Sequence, residues 1–158
     1  MTESTTFHDQ LLAEEAELRV PTFGKDDAWA LGSQMRVAAA ERRLPVVIGI
    51  VLGGQRAFHT ALEGSSADND AWLARKTAVV LRYGRSSMGV GEQFRVAGGD
   101  FDRDSRLDPA AYAAHGGVFP LVHTGGTLLG AVGVSGLPQR ADHEFVVTEL
   151  RRFLATRE

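Results

Sequence analysis

Two apolar runs, each followed by paired glycines and a second run, limit what this chain can become. Residues 46–52 read VVIGIVL, Gly53-Gly54 follow, and residues 56–62 alternate so that Phe58, Thr60 and Leu62 share one face. β-Branched side chains suit a pleated surface, and glycine reaches the positive φ of a tight turn without steric cost, so this stretch reads as a β-hairpin. The pattern recurs at residues 117–123 and 128–135, on either side of Thr124-Gly125-Gly126-Thr127. Two hairpins imply an antiparallel sheet, and helices must cover its apolar faces.

The remaining segments supply those helices. Residues 7–18 carry Phe7, Leu11, Leu12 and Leu18 among acids, until Pro21 and Gly24 stop the pattern. Asp26 and Asp27 are N-cap candidates for a helix to about residue 43, with Ala28, Leu31, Met35 and Ala38 at helical spacing. Asp68 or Asn69 caps a third helix that runs to about Tyr83, with Trp72, Lys76, Val79, Val80 and Tyr83 on one stripe and Gly84 as its C-cap. Residues 86–95 fit no single period, residues 97–107 read as a polar loop, and Asp108-Pro109 opens a helical turn through Tyr112 and His115. Residues 140–154 pair apolar positions as an amphipathic helix. No linker divides the chain, so one domain over residues 1–158 is expected, with residues 1–24 as N-terminal helix and connector and 25–155 as the core.

Composition closes off several classes of function. With 158 residues, 44% hydrophobic and 23% charged, the chain can bury a core without staples. It has no cysteine, which removes disulfides, thiolate metal sites and cysteine nucleophiles. A net charge of −3 gives no electrostatic footprint for nucleic acid or anionic lipid. Residues 1–17 lack a basic start and an apolar stretch, and the longest apolar run, 44–52, is far below the ~20 residues that span a bilayer, so a cytoplasmic protein is expected.

Familiar catalytic and metal motifs fail at named positions. His143-Glu144 begins like a zinc-protease helix, but Val147 stands where the second histidine belongs, and His143 reads as a surface residue. Asp102, Asp104 and Asp108 lack the glycine and terminal glutamate of a calcium loop. Residues 84–89 (GRSSMG) lack the Gly-Lys-Ser/Thr ending of a phosphate loop and read as a helix C-cap followed by a new N-cap. His59 and His115 would serve as iron ligands or proton carriers if the fold brought them together, and Trp72 with Lys76, one helical turn apart, would form an aromatic and cationic wall.

Two stretches carry a resemblance. One runs from Phe58-His59-Thr60-Ala61-Leu62 through Gly64, Asp68-Asn69-Asp70 and Trp72 to Arg75-Lys76, Val79-Val80 and Ser86-Ser87. The other joins His115-Gly116-Gly117 and Phe119-Pro120-Leu121 to the run Gly130-Ala131-Val132-Gly133-Val134-Ser135-Gly136-Leu137-Pro138-Gln139 and to Asp142-His143-Glu144. Together they resemble the heme-degrading-domain family (GlcG/HbpS-like), in particular its small cytoplasmic branch of uncharacterised proteins. The resemblance implies an α+β fold, a profilin-like α/β/α sandwich around a five-stranded antiparallel sheet, with a fifth strand near residues 18–21. It also implies a homo-oligomer and heme or a related tetrapyrrole as ligand.

Three functional readings follow. The first is a small-molecule-binding protein with His59, Trp72, Lys76, Arg82 and His115 as ligand-binding candidates. The second is a non-enzymatic oligomeric scaffold. The third is slow oxidative heme degradation, with His59 or His115 on iron and Lys76 or Arg82 on the propionates. Binding or scaffolding is preferred to catalysis, because no convergent acid–base set is spelled out in the residues.

Overall fold

The computed structural model describes residues 3–157, with side chains from residue 5 onward. The elements run α1 (Glu3–Glu17), α2 (Lys25–Glu41), β1 (Val47–Leu52), β2 (Gln55–Ala61), α3 (Ala67–Tyr83), α4 (Ser87–Val96), α5 (Phe101–Asp104), β3 (Val118–Val122), β4 (Leu128–Ser135) and α6 (Gln139–Ala155). Both hairpins form, and they merge into one four-stranded antiparallel sheet of order β2-β1-β4-β3. The fifth place is taken by a single residue. Val20 bridges to His123 in parallel, donating from its N–H to Val122 O at 2.8 Å and accepting from Thr124 N at 2.9 Å. That contact closes the β3 edge and leaves β2 as the open edge.

Alternation along β1 sorts the two faces. Val46, Ile48 and Ile50 point into the main core with Leu31, Met35, Phe119 and Leu150, beneath α2 and α6. Val47 turns the other way, into a smaller cluster with Leu73, Val80, Val118 and Ala131 under α3. Gly49 and Gly133 are paired neighbours on this second face, and a side chain at Gly49 would collide with Leu73, so glycine lets α3 lie close to the sheet. Beyond α3, Val79, Val90, Phe101 and Ala114 hold α4, α5 and the loop before β3 together.

Local chemistry sets the helix ends. Gly24, rather than Asp26 or Asp27, is the N-cap of α2, and Asp27 reaches back from the first turn to accept the Gly24 N–H at 2.7 Å. Ser66 caps α3, two residues earlier than Asp68, and its N–H donates to Asn69 Oδ1 at 2.8 Å. Gly84 ends α3 in the left-handed region at φ 68°, and Ser86 Oγ accepts the Gly89 N–H at 3.0 Å to start α4. The cap-to-cap reading of residues 84–89 therefore holds.

Two expectations need correction. The segment 97–107 is not all loop, because Asp100 caps the short helix α5 and Phe101 is buried beside Phe94. His143 is not a surface residue: it is 3% exposed, and its Nε2 lies 2.8 Å from Glu14 Oε1. Its position follows from α1 lying across α6, a contact between segments 129 residues apart.

Candidate functional site

The end of β4, the first turn of α6 and the loop before β3 meet α3 at a polar clasp. Lys76 is 2% exposed, and its Nζ donates to Gly116 O at 3.0 Å, Val134 O at 2.8 Å and Asp142 Oδ2 at 3.3 Å. An ammonium has three donors, and all of them are used. Asp142 in turn accepts the N–H groups of Gly136 at 3.3 Å and Leu137 at 3.0 Å. Burial opposes both charges: it lowers the Lys76 pKa and raises that of Asp142, and each is held back by the other's opposite charge. The clasp ties α3, β4, α6 and the loop before β3 to one point. Gly117 sits beside it at φ 137°, where any side chain would strike the Lys76 ammonium.

The loop that precedes β3 is tethered to α3 along its length. Ala113 N donates to Arg75 O at 3.1 Å, and Arg75 Nη1 donates to Pro109 O at 3.3 Å. The Arg75 guanidinium also lies 3.8 Å from the centre of the Trp72 ring. Gly116 N donates to Gln139 Oε1 at 3.0 Å. These bonds present His115 at the end of the loop, exposed, with its ring centre 5.2 Å from that of Trp72. Neither imidazole nitrogen of His115 has a hydrogen-bond partner among the described residues.

His115 and Gln139 stand between two hollows. One, of about 230 Å³, is lined by Asp68, Asn69, Trp72, Lys76, Ser135 and Asp142. The other, of about 190 Å³, is lined by Met88, Glu92, Arg95, Asp100, Phe101 and Ala114. Each is smaller than an ordinary ligand site of roughly 300–1,000 Å³, so a large flat ligand would need both.

The structure thus brings Trp72, Lys76 and His115 to one place and puts His59 and Arg82 elsewhere. His59 lines a different groove, on the opposite flank of α3, and its Nε2 lies 2.6 Å from Asp70 Oδ1. Helical spacing accounts for the split. Residues 68, 69, 72 and 76 face the hollow, whereas 70, 73, 74, 77, 78 and 81 face the groove. Arg82 is exposed, with its guanidinium 5.8 Å from the Tyr112 ring centre, and lines neither space. Sequence reading missed Gln139 and the clasp role of Asp142. The one available signal was their placement just after Pro138, in the first turn of a helix facing two glycines.

The donor set suits a porphyrin iron at one position, the open imidazole of His115. Lys76 has no donor left for a propionate. No group of three or more His, Asp or Glu side chains arranged to hold a metal ion occurs among the described residues. No helix among them is long and apolar enough to cross a membrane.

Comparison with known proteins places this geometry. The family model described as Haem degrading protein HbpS-like matches residues 23–151. A UPF0303 protein of Streptomyces coelicolor is 54% identical over 145 residues, which cover 92% of each chain. The crystal structure of the Ybr137w protein superposes with a TM-score of 0.86 at 31% identity, covering 94% of this chain and 88% of that one. The crystal structure of a PduOC:heme complex matches in fold, with a TM-score of 0.68 at 20% identity over 82% of this chain and 94% of that one.

Proposed function

We propose, from the premise that this chain belongs to the HbpS-like family of heme-degrading proteins, that it binds a flat tetrapyrrole, heme or a close relative, at the paired hollows around His115. The observation that carries this reading is the state of the His115 imidazole. It is exposed, held in place by the tethered loop, and free of hydrogen-bond partners among the described residues. A histidine in that state is available as a metal ligand. His59 is less suited, because one of its nitrogens is committed to Asp70. Heme, when bound, supplies a redox-active iron; His115 would hold it, Trp72 would flank it, and Gln139 would line its edge.

Binding is favoured over turnover. The titratable pair Lys76 and Asp142 in the hollow's wall is spent on itself and on backbone groups, so Lys76 has no hydrogen bond left for a ligand. Titration with hemin is expected to give a saturable, stoichiometric shift of the absorbance band. That shift should be lost in His115→Ala and kept in His59→Ala. A titration without saturation removes the heme reading, and iron release with reductant present would replace binding by oxidative degradation.

A second reading, self-association, is favoured by α2. Its outer face exposes Trp29 at 68% and Val37 at 58%, with Ala30 and Ala40 also exposed. Paired antiparallel with a second copy about Ser33, this helix would set Trp29 against Val37 and Lys25 against Glu41, an isologous contact of matched charge. The two readings are compatible, since no residue of α2 lines either hollow beside His115.

A further inference from the structure

The largest of the hollows described is the groove between α3 and the open edge strand β2, of about 360 Å³. Its floor is the second face of the sheet at Gly49, Val51 and Ala131, and its helical wall carries Ala74 and Ala78. Four of these five side chains are glycine or alanine. Set among Phe58, Leu73 and Leu81, these small groups leave room for a thin, flat, apolar body. Its volume falls within the range of ordinary ligand sites, and its lining is mostly apolar.

The groove's polar groups are few and placed at its margins. Arg56 stands on β2 opposite Val51, exposed, with no carboxylate or carbonyl partner among the described residues. His59 stands on the same strand opposite Gly49. Its Nε2 lies 2.6 Å from Asp70 Oδ1, so Asp70 is paired with the imidazole. Thr77 adds a hydroxyl from the helix wall. The one uncommitted charge at the groove is therefore a guanidinium, the group best shaped for a carboxylate.

We propose that this groove is a second ligand site, separate from the His115 hollows, for a small planar carboxylic acid. The ring system would lie over Val51 and Ala131 beside Ala74 and Ala78, and the carboxylate would pair with Arg56. The site does not depend on heme binding, because α3 stands between the two and shares no lining residue with both.

The test uses the full chain and 2-naphthoate, with 2-naphthalenemethanol as the uncharged partner of the same ring system. Calorimetry and amide NMR shifts are recorded on the wild type, Arg56→Gln, Ala78→Phe and His115→Ala. Saturable binding of the acid is expected, with shifts centred on Val51, Ala74 and Ala78. Arg56→Gln should weaken it by roughly tenfold or more, as loss of a charged hydrogen-bond partner does. Ala78→Phe should abolish it, and His115→Ala should leave it unchanged. Arg56 is a surface residue, so its variant keeps the test open if Ala78→Phe fails to fold. The proposal is overturned if the acid does not saturate by millimolar concentration, or if acid and alcohol bind equally. It is also overturned if Ala78→Phe changes the mass in light scattering while wild type ignores the acid, since the groove is then a subunit contact. Competition between hemin and naphthoate would overturn it too, while leaving heme binding intact. Failed hemin binding with normal naphthoate binding would do the reverse.

Discussion

Lys76 is surrounded by oxygen on every donor, and that makes it a structural cation rather than a ligand-binding one. A buried pair contributes little net stability, but removing one partner strands the other's charge in a medium that cannot solvate it. Lys76→Met is expected to cost about 3–5 kcal/mol in denaturant unfolding, because Asp142 then keeps only its two backbone donors. A loss within the ordinary surface range of ±0.5 kcal/mol would show that the clasp does not hold the loop. His115 differs from Lys76 in the one respect that matters for binding: its polar atoms are unspent. Both residues were legible in the sequence as chemistry-bearing types. Their opposite roles were not, since that of Lys76 is set by carbonyls at Gly116 and Val134, 40 and 58 positions away in the chain.

Among the elements, β1 and β4 are the central strands, each paired on both sides, and β4 carries the tightest glycine. Gly130 lies opposite Leu52 on β1 and Leu121 on β3. A side chain there would overlap the Val51 carbonyl. Gly130→Ala should therefore cost about 1–3 kcal/mol through overpacking, measured as a lowered urea midpoint; an unchanged midpoint would mean that the strands separate without penalty. α1 is held differently, by charge. Glu14 meets His143, Glu15 meets Arg85 at 3.0 Å, and Glu17 meets Arg151 at 2.8 Å. Hydrogen bonding to Arg151 holds the Glu17 carboxyl below its usual range. The four long helices were readable from their apolar spacing, but their partners were not. That is why His143 looked like a surface residue until α1 was laid across it.

At the scale of the molecule, the two edges of the sheet are treated unequally. The β3 edge is covered by Val20, whereas β2 is bare and adjoins both the exposed α2 face and the α3 groove. An uncovered edge invites pairing with another chain. Self-association through α2 predicts that Trp29→Glu lowers the mass seen by light scattering at micromolar concentration, while Arg82→Glu, on α3, leaves it unchanged. A wild type that is already monomeric at that concentration would dismiss the interface.

By itself the sequence determined the two hairpins and the four long helices around them, because period, turn glycines and caps are local and act over a few residues, whereas α4 and α5 took shape only in the packed fold. It also carried the family, through the spacing of its glycines and polar residues from Phe58 to Glu144. Only the tertiary structure decided which of those residues share a space. Helix α3 presents different faces to two cavities, so Trp72 and Lys76 meet His115 while His59 is carried to the other flank. Burial did the rest: it turned a lysine that looked free to bind into a fully bonded clasp, since the backbone oxygens around it are brought there by the fold and not by the chain order.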